Sequence, residues 1–509
     1  LLLKLIPKEL IIKYNVLPVS LIGNNLTLAM MDPMNIVVID NIKTVTGFTV
    51  MPVVAAYTDL KDTIGKCFIK KNDDEDVKPD ETFDEIMRDI QDIEDLELIK
   101  DHRSSDQNVV EELNDEAPII KLTDTIIQQS VVSKASDVFI EPLENAVRIR
   151  YRVDGVIREI DRLTKVLHFP IISRIKVISN LDISEHRLPQ DGRFKMMLAG
   201  GKFVDFRVNV LPTVMGEKAV LRVLDQETAY LDVNKLGFEN KALEDLKVCA
   251  TKPHGLILTC GPTGSGKTTT LYSILKYVDS PEKNIVTVED PVEYQMKGAN
   301  QVNVKPHIGL TFSTSLRSIL RQDPDVILIG EIRDAETLSI AVKAALTGHL
   351  VLSSLHTTTA AGSVVRMMNM GIEPFLICSS VLAIVAQRLL RKICPYCKEK
   401  YEVSDVIIER MKLKKFLNDE KIELFRGKGC KKCFNTGYSG RVGINEILIF
   451  TAEIRELVLH NAGEVKIKNL ARRQGMQTMR EDGLSKAISG LTTLDEVIRI
   501  TAPDEEIIQ

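Results

Sequence analysis

The sequence predicts an α/β protein whose central domain is a parallel sheet with crossover helices. Short apolar runs bounded by glycine, proline or charge alternate with helix-forming sequence, as is typical of strands buried on both faces of such a sheet. The runs are Gly255–Cys260, 285–289, 326–330 and 350–355. A glycine-rich segment follows the first run and precedes the helix-forming run 269–277, so the order strand, loop, helix is that of a phosphate-binding loop.

Length and composition restrict the class of protein. The 509 residues allow about three domains of ~150 residues. Hydrophobic residues make up 44% and charged residues 27%, which is ordinary for a soluble globular protein. The net charge of −5 does not favour nucleic-acid binding. We find no apolar run of 18 residues and no secretory signal, so we expect a cytoplasmic protein. Because the chain begins with Leu1, we expect its native N-terminus to lie upstream.

Shifts in composition divide the chain into six segments. Residues 1–70 are expected to form a small α/β module. Acidic residues crowd the segment 71–112, which predicts a linker, with near-helical apolar spacing at 83–98. An α+β domain is expected at 113–235 and the parallel-sheet core at 236–390. Cysteine pairs mark a module at 391–440, and amphipathic sequence predicts a helical region at 441–509.

The glycine-rich segment matches the pattern G-x-x-x-x-G-K-[ST] and predicts a nucleotide-phosphate site. Its glycines allow several backbone N–H groups to point at one phosphate, and the following helix adds its N-terminal dipole. The lysine is expected to reach the β- and γ-phosphates, and the threonine hydroxyl to bind Mg²⁺. The residues are Gly261, Pro262, Thr263, Gly264, Ser265, Gly266, Lys267 and Thr268.

A second acidic element supports the same site. The buried run 326–330 delivers Glu331 to a strand's carboxyl end, where ligands bind in open α/β sheets. Gly330 stands where an aspartate is usual, so Glu331 is expected to polarise the attacking water or help to hold magnesium.

Four ordered motifs resemble the ATPases of type II secretion and type IV pilus systems over nearly the whole chain. After the phosphate loop, 285–293 is similar to the aspartate box, 327–334 to the atypical Walker B and 347–356 to the histidine box of that family. The resemblance implies a RecA-like catalytic core, preceded by a PAS-like α+β domain.

The resemblance also implies roles for residues outside the phosphate loop. Glu289 is expected to orient catalytic water or act with Mg²⁺, and His356 to sense the γ-phosphate or link it to the sheet. Arg193 and Arg207, in segments similar to those that supply arginines to the nucleotide, are expected to offset charge on the transferring phosphoryl group. Surface ion pairs are the alternative for each arginine. Further candidates for this cluster are Arg317, Arg321 and Arg333.

Two C-x-x-C pairs predict a structural metal site. Cys394 and Cys397 precede Cys430 and Cys433 by an intervening segment of 32 residues. Each pair supplies two thiolates from one turn, which together complete a tetrahedral site for Zn²⁺ in preference to an iron–sulfur centre. The intervening segment is expected to form a helical insertion. The resemblance places this module in assembly and secretion ATPases and not in pilus-retraction ATPases.

The function that these features favour is a homohexameric ATPase motor, using ATP, Mg²⁺ and Zn²⁺, that powers type IV pilus assembly. By resemblance, its partners are an inner-membrane platform protein and peripheral proteins of the pilus machinery, which would hold it at the inner membrane of a bacterium. Type II secretion is the alternative within the family. A hexameric helicase is the alternative of another class, but we expect no nucleic-acid partner. Cyclic di-GMP binding by the N-terminal module stays open.

Overall fold

The computed structural model divides the chain into two units, Leu1–Asp84 and Glu85–Gln509. It describes residues 5–6, 10–11, 14, 16–31, 33, 35–55, 60, 117–198, 202–224, 232–411, 413 and 423–503. The predicted acidic linker 71–112, with its possible helix at 83–98, lies outside the described residues.

The N-terminal unit is the small α/β module that the sequence predicts. Its strands are β1 (Leu17–Ile22), β2 (Asn25–Met30) and β3 (Thr49–Val54). The sheet order is β1-β2-β3; β1 and β2 pair antiparallel, whereas β2 and β3 pair parallel. The parallel pair requires a crossover, which helix α1 (Ile36–Thr46) provides before Gly47 ends it at φ 73°.

The second unit begins with an α+β region, as predicted. Its six-stranded antiparallel sheet has the order β6-β5-β4-β9-β8-β7. Its elements are α2 (Ala117–Val132), β4 (Ala135–Pro142), β5 (Ala146–Val153), β6 (Val156–Thr164), α3 (His168–Ile178), β7 (Gln190–Met197), β8 (Phe203–Thr213) and β9 (Gly216–Leu224). The sequence predicted neither β6 nor β7. These are the two edge strands, and their weak burial leaves no clear alternation of apolar residues to detect.

The core of this unit is a seven-stranded sheet with the order β12-β11-β13-β14-β10-β15-β18. The strands are β10 (Gly255–Cys260), β11 (Ile285–Glu289), β12 (Ala299–Asn303), β13 (Val326–Ile329), β14 (Leu350–Leu355), β15 (Val381–Ile393) and β18 (Tyr438–Ile449). All pairs are parallel except β15–β18. Helices α4 (Asn240–Ala250), α5 (Lys267–Val278), α6 (Phe312–Ile319), α7 (Ala335–Leu346), α8 (Ala360–Asn369) and α9 (Pro374–Ser380) connect or cover the strands. The predicted parallel sheet is confirmed.

Strand register brings the phosphate loop, Glu331 and His356 to one edge of the core sheet. Cys260 pairs with Leu355 across β10 and β14, so the phosphate loop and His356 follow neighbouring strand ends. Ile329 pairs with Ser353, which places Glu331 beside the same edge. This is the carboxyl edge of the parallel strands, where ligands bind in open α/β sheets.

Two expectations about the C-terminal part are wrong. Residues 441–449 are not helical but belong to β18, whose antiparallel pairing with β15 extends the core sheet. In its described part, the segment between the cysteine pairs is mainly a two-stranded antiparallel ribbon of β16 (Lys398–Glu402) and β17 (Glu423–Gly427), with only one short helix, α10 (Asp405–Arg410). Exposed and half-buried residues alternate along β16, so that Lys400 and Tyr401 lie on opposite faces. Alternation with a period of two residues favours a strand over a helix.

In residues 450–503, which the structure describes, four helices follow β18: α11 (Ala452–Leu459), α12 (Glu464–Arg473), α13 (Met479–Ile488) and α14 (Leu494–Ile500). Buried Ile454, Val458 and Ile467 join the apolar layer on one face of the core sheet. Among the described residues, every helix is too short or too polar to cross a bilayer.

Candidate active site and metal centre

The phosphate loop lies between β10 and α5. Gly261, Gly264 and Gly266 have φ values of 150°, 77° and 91°. Residues other than glycine rarely adopt such backbone conformations. A Cβ at Gly266 would lie 2.8 Å from Gln387 Nε2, whereas the space around a Cβ at Gly264 is open. The loop therefore packs closely against β15 at Gly266 and leaves its backbone accessible at Gly264. A loop whose N–H groups bind phosphate requires such an accessible backbone.

The side chains of the loop fit a phosphate group. Lys267 Nζ donates to the carbonyls of Gly261 and Pro262 at 2.8 and 3.1 Å, so the ammonium folds back over the loop. Burial lowers the pKa of Lys267, although the charges of Glu331 and Cys260 oppose this. Ser265 Oγ is buried without a hydrogen-bond partner among the described residues. A buried hydroxyl without a partner has a free-energy cost that a bound oxyanion would remove.

Glu331 is held by two cationic or polar partners. His356 Nε2 lies 2.7 Å from its Oε2, and Arg333 Nε donates to its Oε1 at 2.6 Å. Arg333 also pairs with Asp290 at 3.3 Å, which ties the aspartate-box loop to the same cluster. Burial favours the neutral carboxyl, but the hydrogen bonds from His356 and Arg333 outweigh it and lower the pKa of Glu331. The geometry thus presents an ionised carboxylate at the sheet edge.

Glu289 lies at the end of β11 and is only 3% exposed. Its carboxylate accepts hydrogen bonds from the Tyr272 hydroxyl, from Thr287 Oγ1 at 2.7 Å and from Gln301 Nε2 at 3.2 Å. Burial raises its pKa despite these donors. The structure therefore brings Glu289 to the predicted edge but embeds it in a hydrogen-bond network, whereas Glu331 is the more accessible carboxylate.

Sequence reasoning missed one side chain that supports the phosphate loop. Gln387, on β15, is buried and accepts a hydrogen bond at 2.6 Å from Thr270 in the first turn of α5. It also lies against Gly266, so one residue braces both the loop and its helix. A single glutamine in an apolar run has no characteristic spacing, and only the pairing of β10 with β15 reveals its place.

The two arginines of the α+β region differ in their contacts. Arg207 donates to the Val292 carbonyl at 2.6 Å and pairs with Glu293 at 3.2 Å, which links β8 to the aspartate-box loop. Arg193 lies directly opposite Arg207 in the β7–β8 pair and is exposed. Of the other candidates, Arg317 is engaged with Glu336 at 2.6 Å. His349 bonds the Ala344 carbonyl at the opposite end of β14 from His356.

The four paired cysteines meet as predicted. Their sulfur atoms all lie within 4.8 Å of one another. The sulfurs of Cys394 and Cys430 are 3.9 Å apart, and those of Cys397 and Cys433 are 3.8 Å apart. A tetrahedral Zn²⁺ with Zn–S bonds of ~2.3 Å requires sulfur separations of roughly 3.8 Å. Backbone N–H groups of Cys430 and Gly437 donate to the Cys433 sulfur, which favours its thiolate form. This donor set could hold a zinc ion.

Comparison with known families and proteins agrees with this geometry. The model of the type II/IV secretion system protein family matches residues 112–499, and that of the MshEN domain matches residues 1–71. The chain belongs to the type II/IV secretion system protein family. The family match spans the phosphate loop, the Glu331 cluster and the four cysteines.

Curated relatives fall into two groups. The type IV pilus assembly ATPase PilB of Myxococcus xanthus is 44% identical over 99% of this chain and 87% of its own length. The type II secretion system ATPase E of Vibrio cholerae is 47% identical over 77% of this chain and 76% of its own length. Among solved structures, the pilus retraction motor PilT with bound ADP is 28% identical, with a TM-score of 0.53, covering 74% of this chain and 96% of its own. The family is therefore one of secretion and pilus ATPases.

Proposed function

We propose that this chain is the ATPase motor of type IV pilus assembly, acting as a homohexamer that hydrolyses ATP to ADP and phosphate. The observation that carries the choice of pilus over type II secretion is the extent of the similarity. The pilus assembly relative aligns over 99% of the chain, whereas the type II secretion relatives from Xanthomonas campestris and Vibrio cholerae align over 78% and 77%. The likeness to the pilus relative thus includes the N-terminal module.

The chemistry of the proposed site follows from its side chains. Lys267 would exchange the loop carbonyls for the β- and γ-phosphates, and Thr268 would hold Mg²⁺, which neutralises phosphate charge when bound. Glu331, kept ionised by His356 and Arg333, would orient the attacking water and accept its proton. Glu289 would support that water through its hydrogen-bonded carboxyl group. Arg193 and Arg207 would offset charge that develops on the transferring phosphoryl group.

The cysteine module has a structural role in this proposal. Cys394, Cys397, Cys430 and Cys433 would hold one Zn²⁺ with all four positions filled by protein, which leaves no position for catalysis. We propose that the domains of the second unit span residues 113–235, 236–390, 391–440 and 441–509.

The motor is proposed to act in the cytoplasm, at the inner membrane, through a platform protein and peripheral proteins of the pilus machinery. Nucleic acid is not proposed as a partner. Hydrolysis would change how the α+β region packs against the catalytic core. In this structure, the ion pair between Arg207 and Glu293 is one contact between the two regions.

The experiment is complementation of a strain from which the gene for this chain has been deleted. We expect the unchanged chain to restore surface pili and the Lys267→Ala variant to restore none, because the phosphate contact is lost. Lys276→Ala, an exposed lysine at the far end of the same helix α5, is the matched control and should restore pili. Loss of protein secretion with normal piliation would instead assign the chain to type II secretion.

A further inference from the structure

The segment that carries His356 is anchored at its C-terminal end by the first turn of α8. Between Leu355, the last residue of β14, and Ala360, the first of α8, lies a short connection. Thr359 caps the helix by accepting the Gly362 N–H at 3.0 Å. The Thr357 hydroxyl bonds the Ser363 hydroxyl, also in the first turn of α8. The position of His356 therefore depends on where this turn lies.

Two carboxylates from the C-terminal part of the chain hold that turn. Glu446 on β18 is 1% exposed and accepts the Ala360 N–H at 3.1 Å. Glu464, at the start of α12, accepts a short hydrogen bond from the Thr359 hydroxyl. Carboxylates near a helix N-terminus interact favourably with its dipole and satisfy its unpaired N–H groups. Neither residue was a candidate from the sequence.

The carboxylate of Glu464 packs closely against Gly362 in the first turn of α8. A Cβ at Gly362 would lie 2.6 Å from Thr359 Oγ1 and 3.2 Å from both oxygens of Glu464. The glycine therefore leaves the space in which the carboxylate reaches the helix. The Cys260 thiol, at the end of the strand that leads into the phosphate loop, donates to the Thr359 carbonyl at 3.5 Å. The same junction thus touches β10, β18, α12 and the His356 segment.

We propose that Glu464, together with Glu446, is a positioning residue for ATP hydrolysis that acts through His356. By fixing the first turn of α8, the two carboxylates hold His356 against Glu331. Because Glu446 lies on β18 and Glu464 on α12, the distance between His356 and Glu331 then depends on where β18 and α12 lie. This inference rests on the proposed ATPase function. It assigns to α12 and β18 an indirect link to the reacting groups, made through the first turn of α8 and His356 and separate from any contact with the nucleotide.

The test measures steady-state ATP hydrolysis by the full chain with Glu464→Ala and Thr359→Ala. We expect each to lower kcat by about tenfold while KM stays within about twofold, because a displaced catalytic group affects the transition state and not substrate binding. Glu464→Gln retains an acceptor for the Thr359 hydroxyl, and Thr359→Ser retains the cap, so both should recover most of the lost rate. Glu446 is left unchanged because removing so buried a group endangers folding.

The matched control is Glu453→Ala. Glu453 is also a glutamate in the first turn of a C-terminal helix, but its carboxylate bonds Gln474 and not α8. Its variant should keep the kcat and KM of the unchanged chain. A fall in kcat with Glu453→Ala equal to that with Glu464→Ala would show a general effect of removing such carboxylates and would overturn the inference.

A double-variant cycle with His356→Ala separates positioning from a merely structural role. If Glu464 acts through His356, Glu464→Ala should lower kcat no further once His356 is gone. Losses that multiply, an unchanged kcat in Glu464→Ala, or a raised KM with unchanged kcat would each overturn the inference. Failure of the unchanged chain to hydrolyse ATP in a Lys267-dependent manner would instead refute the proposed function.

Discussion

Glu331 receives hydrogen bonds from two sides, and its ionisation is the property on which the site's chemistry depends. Lys267, His356 and Arg333 are the charged or titratable groups that act on this carboxyl. Because the bonds from His356 and Arg333 lower its pKa, the carboxylate persists as pH falls below the range of an ordinary glutamate. We therefore expect the acid limb of the pH profile of kcat to report this group.

Arg333→Ala should move that acid limb to higher pH. The substitution removes a hydrogen bond and a positive charge that favour the carboxylate, so the pKa of Glu331 rises and activity is lost at a higher pH on acidification. The measurement is kcat as a function of pH. Arg162→Ala removes an exposed arginine paired with Glu159 on β6 and should leave the limb in place. An acid limb that does not move in Arg333→Ala would show that ionisation of Glu331 does not control the rate.

At the scale of elements, a bound metal would add to the apolar packing of the cysteine module, in which Ile408 of α10 and Leu424 of β17 are buried in a cluster with Leu484 of α13. The ribbon β16–β17 has only five residues in each strand, and a two-stranded ribbon has little stability alone. The four sulfurs lie at separations that suit tetrahedral Zn²⁺. A metal bound there would contribute its binding free energy to folding of the module.

We expect the purified chain to contain about one zinc per subunit and the Cys430→Ser/Cys433→Ser double variant to contain nearly none. Loss of the ion should also lower the melting temperature, because the thiolate ligands are no longer held together. Metal analysis and thermal unfolding check both points. Cys249→Ser, which changes a buried cysteine on α4 that packs in an apolar cluster, should keep its zinc. Full zinc content in the double variant would contradict the assignment of the ligands.

The sequence predicts the parallel strands β10, β11, β13 and β14 because glycine, proline or charged residues bound each apolar run, whereas the polar strand β12 (Ala299–Asn303) has no apolar run to detect. The same reasoning fails for β15 and α9, since residues 374–386 form one largely apolar stretch without a glycine, an internal proline or a charged residue to mark where the helix ends and the strand begins. A run of that kind does not distinguish helix from strand. The site shows the same contrast. The phosphate loop has a local pattern, whereas the contacts of Gln387 and Glu464 arise from strand pairing and helix packing between distant segments.

At the scale of the whole molecule, polar contacts join the α+β region of the second unit to the aspartate-box loop and to the start of β18. Arg207 reaches Val292 and Glu293, and Asp154 accepts the Gly440 N–H at 2.8 Å. Polar contacts between domains can be broken and remade at modest cost. Such contacts suit a motor in which the nucleotide alters the relation between the two regions. The arrangement therefore agrees with a machine that converts hydrolysis into movement.

The measurement that tests the central claim most directly is phosphate release from ATP by the purified chain over a range of protein concentrations. We expect the rate per subunit to rise with protein concentration as the oligomer forms. We expect single-stranded DNA to leave the rate unchanged. Lys267→Ala and Glu331→Gln should each lower it by about 100-fold or more, because phosphate binding and water activation are lost separately. Stimulation by DNA would favour a helicase, and activity that survives Lys267→Ala would contradict the assigned nucleotide site.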